Sequence, residues 1–167
     1  MTAQPVKEAF ESLKLKAAKL KEENERLDRQ NKDLEKEIQQ LKNRDAQAQA
    51  KNAAVKERAG SFDFYSVRFP EPMDPAALRS SAEAIRKADP EAIVFLADSQ
   101  GFCVAASGGG AQQRGIGANE IVKFSTEVAG GSGGGRPDIA QGRLKEPGRF
   151  PEVLDRIRKF INEKAKG

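Results

Sequence analysis

Leucine recurs every seven residues at the start of this chain. Val6, Leu13, Leu20, Leu27, Leu34 and Leu41 share one heptad position, and Phe10, Ala17, Asn24, Asn31 and Ile38 stand three residues before each leucine. A helix wound at about 3.5 residues per turn keeps such a seam on its partner, the signature of a left-handed coiled coil. An isolated charged helix has no reason to hold its leucines in unbroken register. The surrounding Lys, Glu, Ala, Gln and Arg favour helix, Pro5 suits a first turn, and Gly60 suits a stop. The pattern predicts a helix over residues 5–58, roughly 80 Å long at about 1.5 Å per residue. Residues 1–60 are therefore read as a coiled-coil dimerisation segment. Asn24 and Asn31 occupy successive a positions, where each can pair with its symmetry copy in a parallel two-stranded zipper and so set register. A partner helix absent from this chain is the alternative. After Leu41 the seam decays into DAQAQAKNAAVKERA, which reads as a helical stalk.

Composition changes near residue 60. Of 15 glycines, 12 lie between Gly101 and Gly142 and none precedes Gly60, so two segments with different physics are joined there. Residues 61–167 read as a small α/β domain, which makes the whole chain α+β. SFDFYSVRF (61–69) alternates as a strand. Asp74 and Pro75 open a helix with Leu78, Ala82 and Ile85 on one face. The apolar run over 91–99 predicts a buried strand, and FCVAAS (102–107) its hairpin partner. A helix over 119–128 carries Ile121, Val122, Phe124 and Val128, and a further strand opens at Ile139. The closing amphipathic helix faces inward with Val153, Ile157, Phe160 and Ile161. The predicted order is β-α-β-β-α-β-α, a sheet with helices packed on it.

The same sequence excludes several functions. It has no histidine, so no His-based triad, zinc site or imidazole switch can be assembled from it. The single Cys103 sits in a predicted strand with no base to activate it, and reads as a small buried hydrophobe. No apolar run approaches the roughly 20 residues of a membrane span, and the N-terminus lacks a signal-peptide core. These features suggest a cytoplasmic protein with no membrane partner, no metal and no cofactor.

The most informative stretch is AGGSGGGRPDIAQG (129–142). Glycines there bare the backbone N–H groups, allowing close approach of a phosphate or ribose, and Arg136 adds a fork-shaped cation. A flexible linker is the alternative by composition. No Gly-Lys-Ser/Thr follows, so the stretch is not a P-loop, and the dinucleotide fingerprint is not matched either. This motif closely resembles the DHH-associated domain at the C-terminus of alanyl-tRNA synthetases, whose characteristic stretch is GGGRPDxAQ. Gly133, Gly134, Gly135, Arg136, Pro137, Asp138, Ala140 and Gln141 stand at the family's positions. Ile139 varies the usual methionine or phenylalanine, and Ser132 replaces one glycine. The resemblance covers about residues 61–167, and a coiled coil directly upstream is also a feature of that family.

The resemblance implies a noncatalytic module that dimerises, binds the elbow of alanine tRNA and supports aminoacylation and editing. It implies a fragment of a longer ligase whose remaining domains are its further partners, with no catalytic or editing site here. Candidate RNA-binding residues are Gly133, Gly134, Gly135, Arg136, Asp138, Gln141 and Arg143, joined by Arg114 and Lys123 if they share that surface. The heptad residues Phe10, Leu13, Leu20, Asn24, Leu27, Asn31, Leu34, Ile38 and Leu41 would form the dimer. Basic residues after Arg136 also include Lys145, Arg149, Arg156, Arg158 and Lys159; Phe102 and Phe150 are aromatic candidates for stacking on a base, with core packing the favoured role for Phe102. Asp138 is expected to brace the glycine segment. Two other readings compete: an assembly protein with no nucleic-acid role, and a phosphoesterase of the related DHH class, whose Asp/His motif this sequence lacks.

Overall fold

The computed structural model describes residues 3–167 as two compact units, one ending at Leu41 and the other spanning Lys42–Gly167. The first unit is helix: α1 runs over Gln4–Ala53, and its last turns belong to the second unit. Along α1 the heptad residues find no cover among the described residues. Leu13, Leu20, Leu34 and Leu41 are 54–65 % exposed, and Leu27 is 42 % exposed.

The helix stops at Ala53, short of the end that its composition predicts. Val55–Ala59 (VKERA) forms strand β1, which turns at Gly60 and pairs antiparallel with β2 (Phe62–Arg68). Helix-forming side chains are overruled here because the open edge of β2 offers a complete ladder. Charge then secures the pairing: Lys56 lies 3.0 Å and Arg58 3.1 Å from the Asp63 carboxylate. The hydrogen bond from Lys56 holds the Asp63 carboxyl below its ordinary range, opposed by partial desolvation and helped by Arg58.

The second unit continues with α2 (Pro75–Ala88), β3 (Ala92–Ala97), β4 (Phe102–Ser107), the short α3 (Gly109–Gln113), α4 (Ala118–Ala129), β5 (Gly131–Gly135), β6 (Ile139–Leu144) and α5 (Phe150–Ala165). This is the expected α+β order with β1, α3 and β5 added. The sheet runs β1-β2-β3-β4-β6-β5. Only β2 and β3 pair in parallel, because α2 crosses over between them; the other pairs are antiparallel. Each face of the sheet carries its own core. On one, Phe62, Phe64, Ile93, Phe95 and Cys103 meet Ile121 and Val122 of α4 and Val153, Ile157 and Ile161 of α5. On the other, Val67, Val94, Leu96, Val104 and Ile139 meet Leu78, Ala82 and Ile85 of α2 and Ala50 of α1.

Asp98 locks the β3–β4 turn. It is 2 % exposed, and its Oδ1 accepts from the backbone N–H of Gln100 (3.0 Å) and Phe102 (2.9 Å), while Oδ2 accepts from Met73 N–H (3.1 Å). Asp98→Ala strands three donors, and should cost about 3 kcal/mol in urea denaturation. Cys103 is equally committed to the interior. Burial pushes its thiol up to about 12. Because the folded state favours the neutral thiol, its contribution to stability is complete below the ordinary thiol value of 9.0 and declines from there toward 12. Ellman's reagent should therefore leave the folded protein unmodified at pH 8 and react on unfolding.

Candidate nucleic-acid interface

The glycine-rich stretch is a strand rather than a loop. Glycine has low strand propensity, yet β5 pairs with β6 from Gly131↔Leu144 to Gly135↔Ala140. The reason lies on the face covered by α4. A Cβ on Gly133 would stand 2.6 Å from Val122 Cγ1 and 2.6 Å from Gly142 Cα. On Gly142 it would stand 2.9 Å from the Ser132 carbonyl oxygen and 3.0 Å from Val122 Cγ1. Both glycines let α4 settle directly on the backbone of β5 and β6. Strand alternation then turns Ser132, Gly134, Gln141 and Arg143 to the opposite face, where all four are exposed. A Cβ on Gly134 would meet open space. On that side α2 packs against β3 and β4, leaving the β5–β6 strip uncovered beside it, with bare backbone at Gly134.

A cleft of about 370 Å³ lies along this strip, lined by Arg79, Gly134, Gly135, Arg136, Ile139, Ala140 and Gln141. Arg136, 72 % exposed at its side chain, grips Asp138 with two nitrogens: Nη2 donates to Oδ2 at 3.1 Å and Nε lies 3.1 Å from Oδ1. Arg86 of α2 approaches the same carboxylate, with Nη1 at 3.7 Å from Oδ2, and its Nε is buried without a hydrogen-bond partner. Asp138 is thus clamped between two guanidinium groups. Arg79 pairs loosely with Glu83 at 3.5 Å. Three arginines face two carboxylates, so the strip is left positive. Arg79 and Arg86 were not among the sequence candidates, which centred on the glycine motif. Their spacing of seven, about two helical turns, was the available signal, since it sets both on one side of α2.

The structure separates the remaining candidates. Gly133 faces α4, while Gly134, Gly135, Arg136 and Gln141 line the cleft and Arg143 lies on the same face. Arg114 is exposed just beyond α3, and Lys123 is exposed on α4 across the sheet; neither lines the cleft. Phe150 stacks on Phe95 in the core (5.8 Å between centroids), which takes it out of reach of a base. Arg149 is engaged by Glu152, Glu146 and the Val128 carbonyl, and Arg158 by Glu57 and Asp155. Arg156 lies over the Phe124 ring at 4.0 Å. These cations of the last helix and of the turn before it are therefore partly spent on the fold.

The DHHA1 domain family matches residues 63–163, which include every strand of the sheet except β1 and the whole cleft. The chain belongs to the DHHA1 domain family. Its relatives include the alanine–tRNA ligases of Pyrococcus abyssi, 33 % identical over 115 residues, and of Mycobacterium ulcerans, 34 % identical over 125. Each alignment covers 69 % of this chain but only 11 % and 14 % of the respective ligase. This DHHA1 chain therefore spans a small fraction of the length of the curated relatives it matches. Among solved structures, the C-Ala domain of Aquifex aeolicus alanyl-tRNA synthetase is similar at 29 % identity and a TM-score of 0.61, covering 65 % of this chain and 98 % of that one. Together these likenesses support a C-terminal alanyl-tRNA synthetase domain. RecJ from Thermus thermophilus shares the fold at 18 % identity and a TM-score of 0.60, over 75 % of this chain and 18 % of that one.

Proposed function

We propose that this DHHA1 chain is a noncatalytic, cytoplasmic module that binds tRNA at the elbow and dimerises through α1, supporting aminoacylation and editing by a synthetase. The observation that carries the RNA half is the bare β5–β6 strip, flanked by Arg79 and Arg136 and continued by Gln141 and Arg143. The bare backbone of Gly134 and Gly135 admits a broad, rigid ligand up to the peptide planes. Arginine forks beside it suit phosphates, and the Gln141 amide suits a ribose hydroxyl or base edge. The tRNA elbow is a folded shape made from two loops, and shape dominates RNA recognition. The dimer half is supported by the exposed heptad seam of α1.

The test is a gel-shift titration with alanine tRNA, a second tRNA and a plain RNA duplex, at low and moderate salt. Binding of both tRNAs in preference to the duplex, weakening as salt rises, is the expected result. Equal binding of all three would replace elbow recognition with a nonspecific basic surface, and no binding at either salt would leave the assembly role alone. Arg136→Ala should weaken tRNA binding roughly tenfold and flatten the log–log salt dependence by about one unit, as expected for one lost phosphate contact.

A further inference from the structure

Resting on the dimer reading above, we propose that α1 pairs with α1 of a second copy in antiparallel orientation, in the register that sets Asn24 against Leu27 of the second copy. The argument comes from the charges flanking the seam. With the leucines at d, the e positions are Lys7, Lys14, Lys21, Asp28, Glu35 and Lys42, and the g positions are Ala9, Lys16, Glu23, Gln30, Glu37 and Arg44. The flanks are thus basic over the first half of the seam and acidic over most of the second.

In a parallel, in-register pair each g residue meets the e residue five places later on its partner. Lys16 would then meet Lys21 and Glu23 would meet Asp28, both of like sign. Only Glu37 against Lys42 would attract. In an antiparallel pair, e meets e and g meets g. The register that seats every a residue from Phe10 to Ile38 on a leucine joins Phe10 to Leu41, Ala17 to Leu34, Asn24 to Leu27, Asn31 to Leu20 and Ile38 to Leu13. It also brings Lys14 to Glu35, Lys21 to Asp28 and Lys16 to Glu37, each pair formed twice by symmetry. Its like-charge contact, Lys7 with Lys42, falls at the two ends of the seam. Sliding the antiparallel pair by one heptad either way brings like charges together at the centre: Lys21 on Lys21 and Glu23 on Glu23 in one direction, Asp28 on Asp28 and Glu23 on Glu37 in the other.

Within the monomer these charges are largely unspent. Among the described residues, Lys16, Lys21, Asp28, Glu35 and Glu37 form no ion pair, whereas Glu23 is taken by Arg26. The asparagines taken alone would favour parallel pairing. In the antiparallel register, however, Asn24 of each copy occupies one of the two central layers, about 4.5 Å apart along the axis. The two amides can therefore still meet, and the charge pattern decides the orientation.

The test combines disulfide trapping with a charge swap in the full chain, followed by sedimentation equilibrium. Leu13→Cys and Ile38→Cys variants, mixed and oxidised, should cross-link to each other, and neither should cross-link alone; buried Cys103 does not compete. Lys14→Glu and Glu35→Lys should each raise the dimer dissociation constant roughly tenfold, and the double variant should restore it. Restoration is the discriminating readout, since the contact of Lys14 with Glu11 at 3.6 Å is lost in both Lys14→Glu proteins. In a parallel pair Lys14 faces Ala9 and Glu35 faces Gln30, so no coupling would appear. Leu13→Cys cross-linking to itself, with uncoupled charges, would overturn the antiparallel arrangement while leaving the dimer intact. A monomeric parent protein at micromolar concentration would overturn the dimer itself.

Discussion

Leu20→Ser combined with Leu27→Ser is expected to turn the dimer into a monomer while the globular unit stays folded. Both leucines lie in the middle of the heptad seam and stay exposed within a single chain, so pairing with a second copy is what would bury them. Removing a buried leucine costs roughly 2–5 kcal/mol, and a dimer loses each one twice. Even with relaxation of the seam, a loss of about 4 kcal/mol raises the dissociation constant about a thousandfold. Sedimentation equilibrium should then report the chain mass of 18.2 kDa in place of twice that value. Helical ellipticity should fall, because a long polar helix without its partner is marginal in water. The thermal transition of residues 42–167 should stay where it was, since neither leucine belongs to that unit. A dimer that survives the double substitution would place the interface elsewhere.

The second large effect separates two neighbouring glycines that look alike in sequence. Gly133→Val puts carbon where Val122 and the Gly142 backbone already stand, each at 2.6 Å from the first added atom. A backbone neighbour cannot rotate aside, so α4 must lift or β5 must detach. The expected cost is about 3 kcal/mol or more, a fall of about 10 °C in Tm for a domain of this size. Gly134→Val meets open space on the uncovered face and should leave Tm within about 2 °C of the parent. It raises a branched side chain in the middle of the bare strip, however, and should weaken tRNA binding roughly tenfold or more. The reverse outcome, with Gly134→Val unstable and Gly133→Val merely deficient in binding, would exchange the faces assigned to the strand.

Much of this molecule was legible in one dimension because its signals are local and periodic. The heptads of α1 announce a long helix, and the spacing of α2 and α5 and the apolar run of β3 state which residues are buried; the structure has each of these elements, with the α2, α5 and β3 residues in the core. The motif from Gly133 to Gln141 likewise pointed to the family. Misreadings arose where local preference and tertiary opportunity diverge. VKERA has helical composition but lies at an unpaired sheet edge, and GSGGG has linker composition but lies under α4 beside β6. In both cases a ladder of backbone hydrogen bonds to the next strand along the chain, itself seated in the sheet, outweighs propensities worth a few tenths of a kcal/mol per residue. The cleft was only half visible because packing of α2 on the sheet brings Arg79 to its lining and Arg86 to Asp138.

By itself, then, the sequence determined the long heptad-patterned helix, the α+β division, the family and the cation beside the glycines, all of which are encoded in spacing along the chain. The tertiary structure decided that the glycines form a strand, which of them face the helix and which lie bare, and that two arginines from α2 join Arg136 there. Those outcomes depend on contacts among strands and helices that no local pattern encodes. Such contacts form only once burial of the two cores has overcome the entropy of closing the intervening chain.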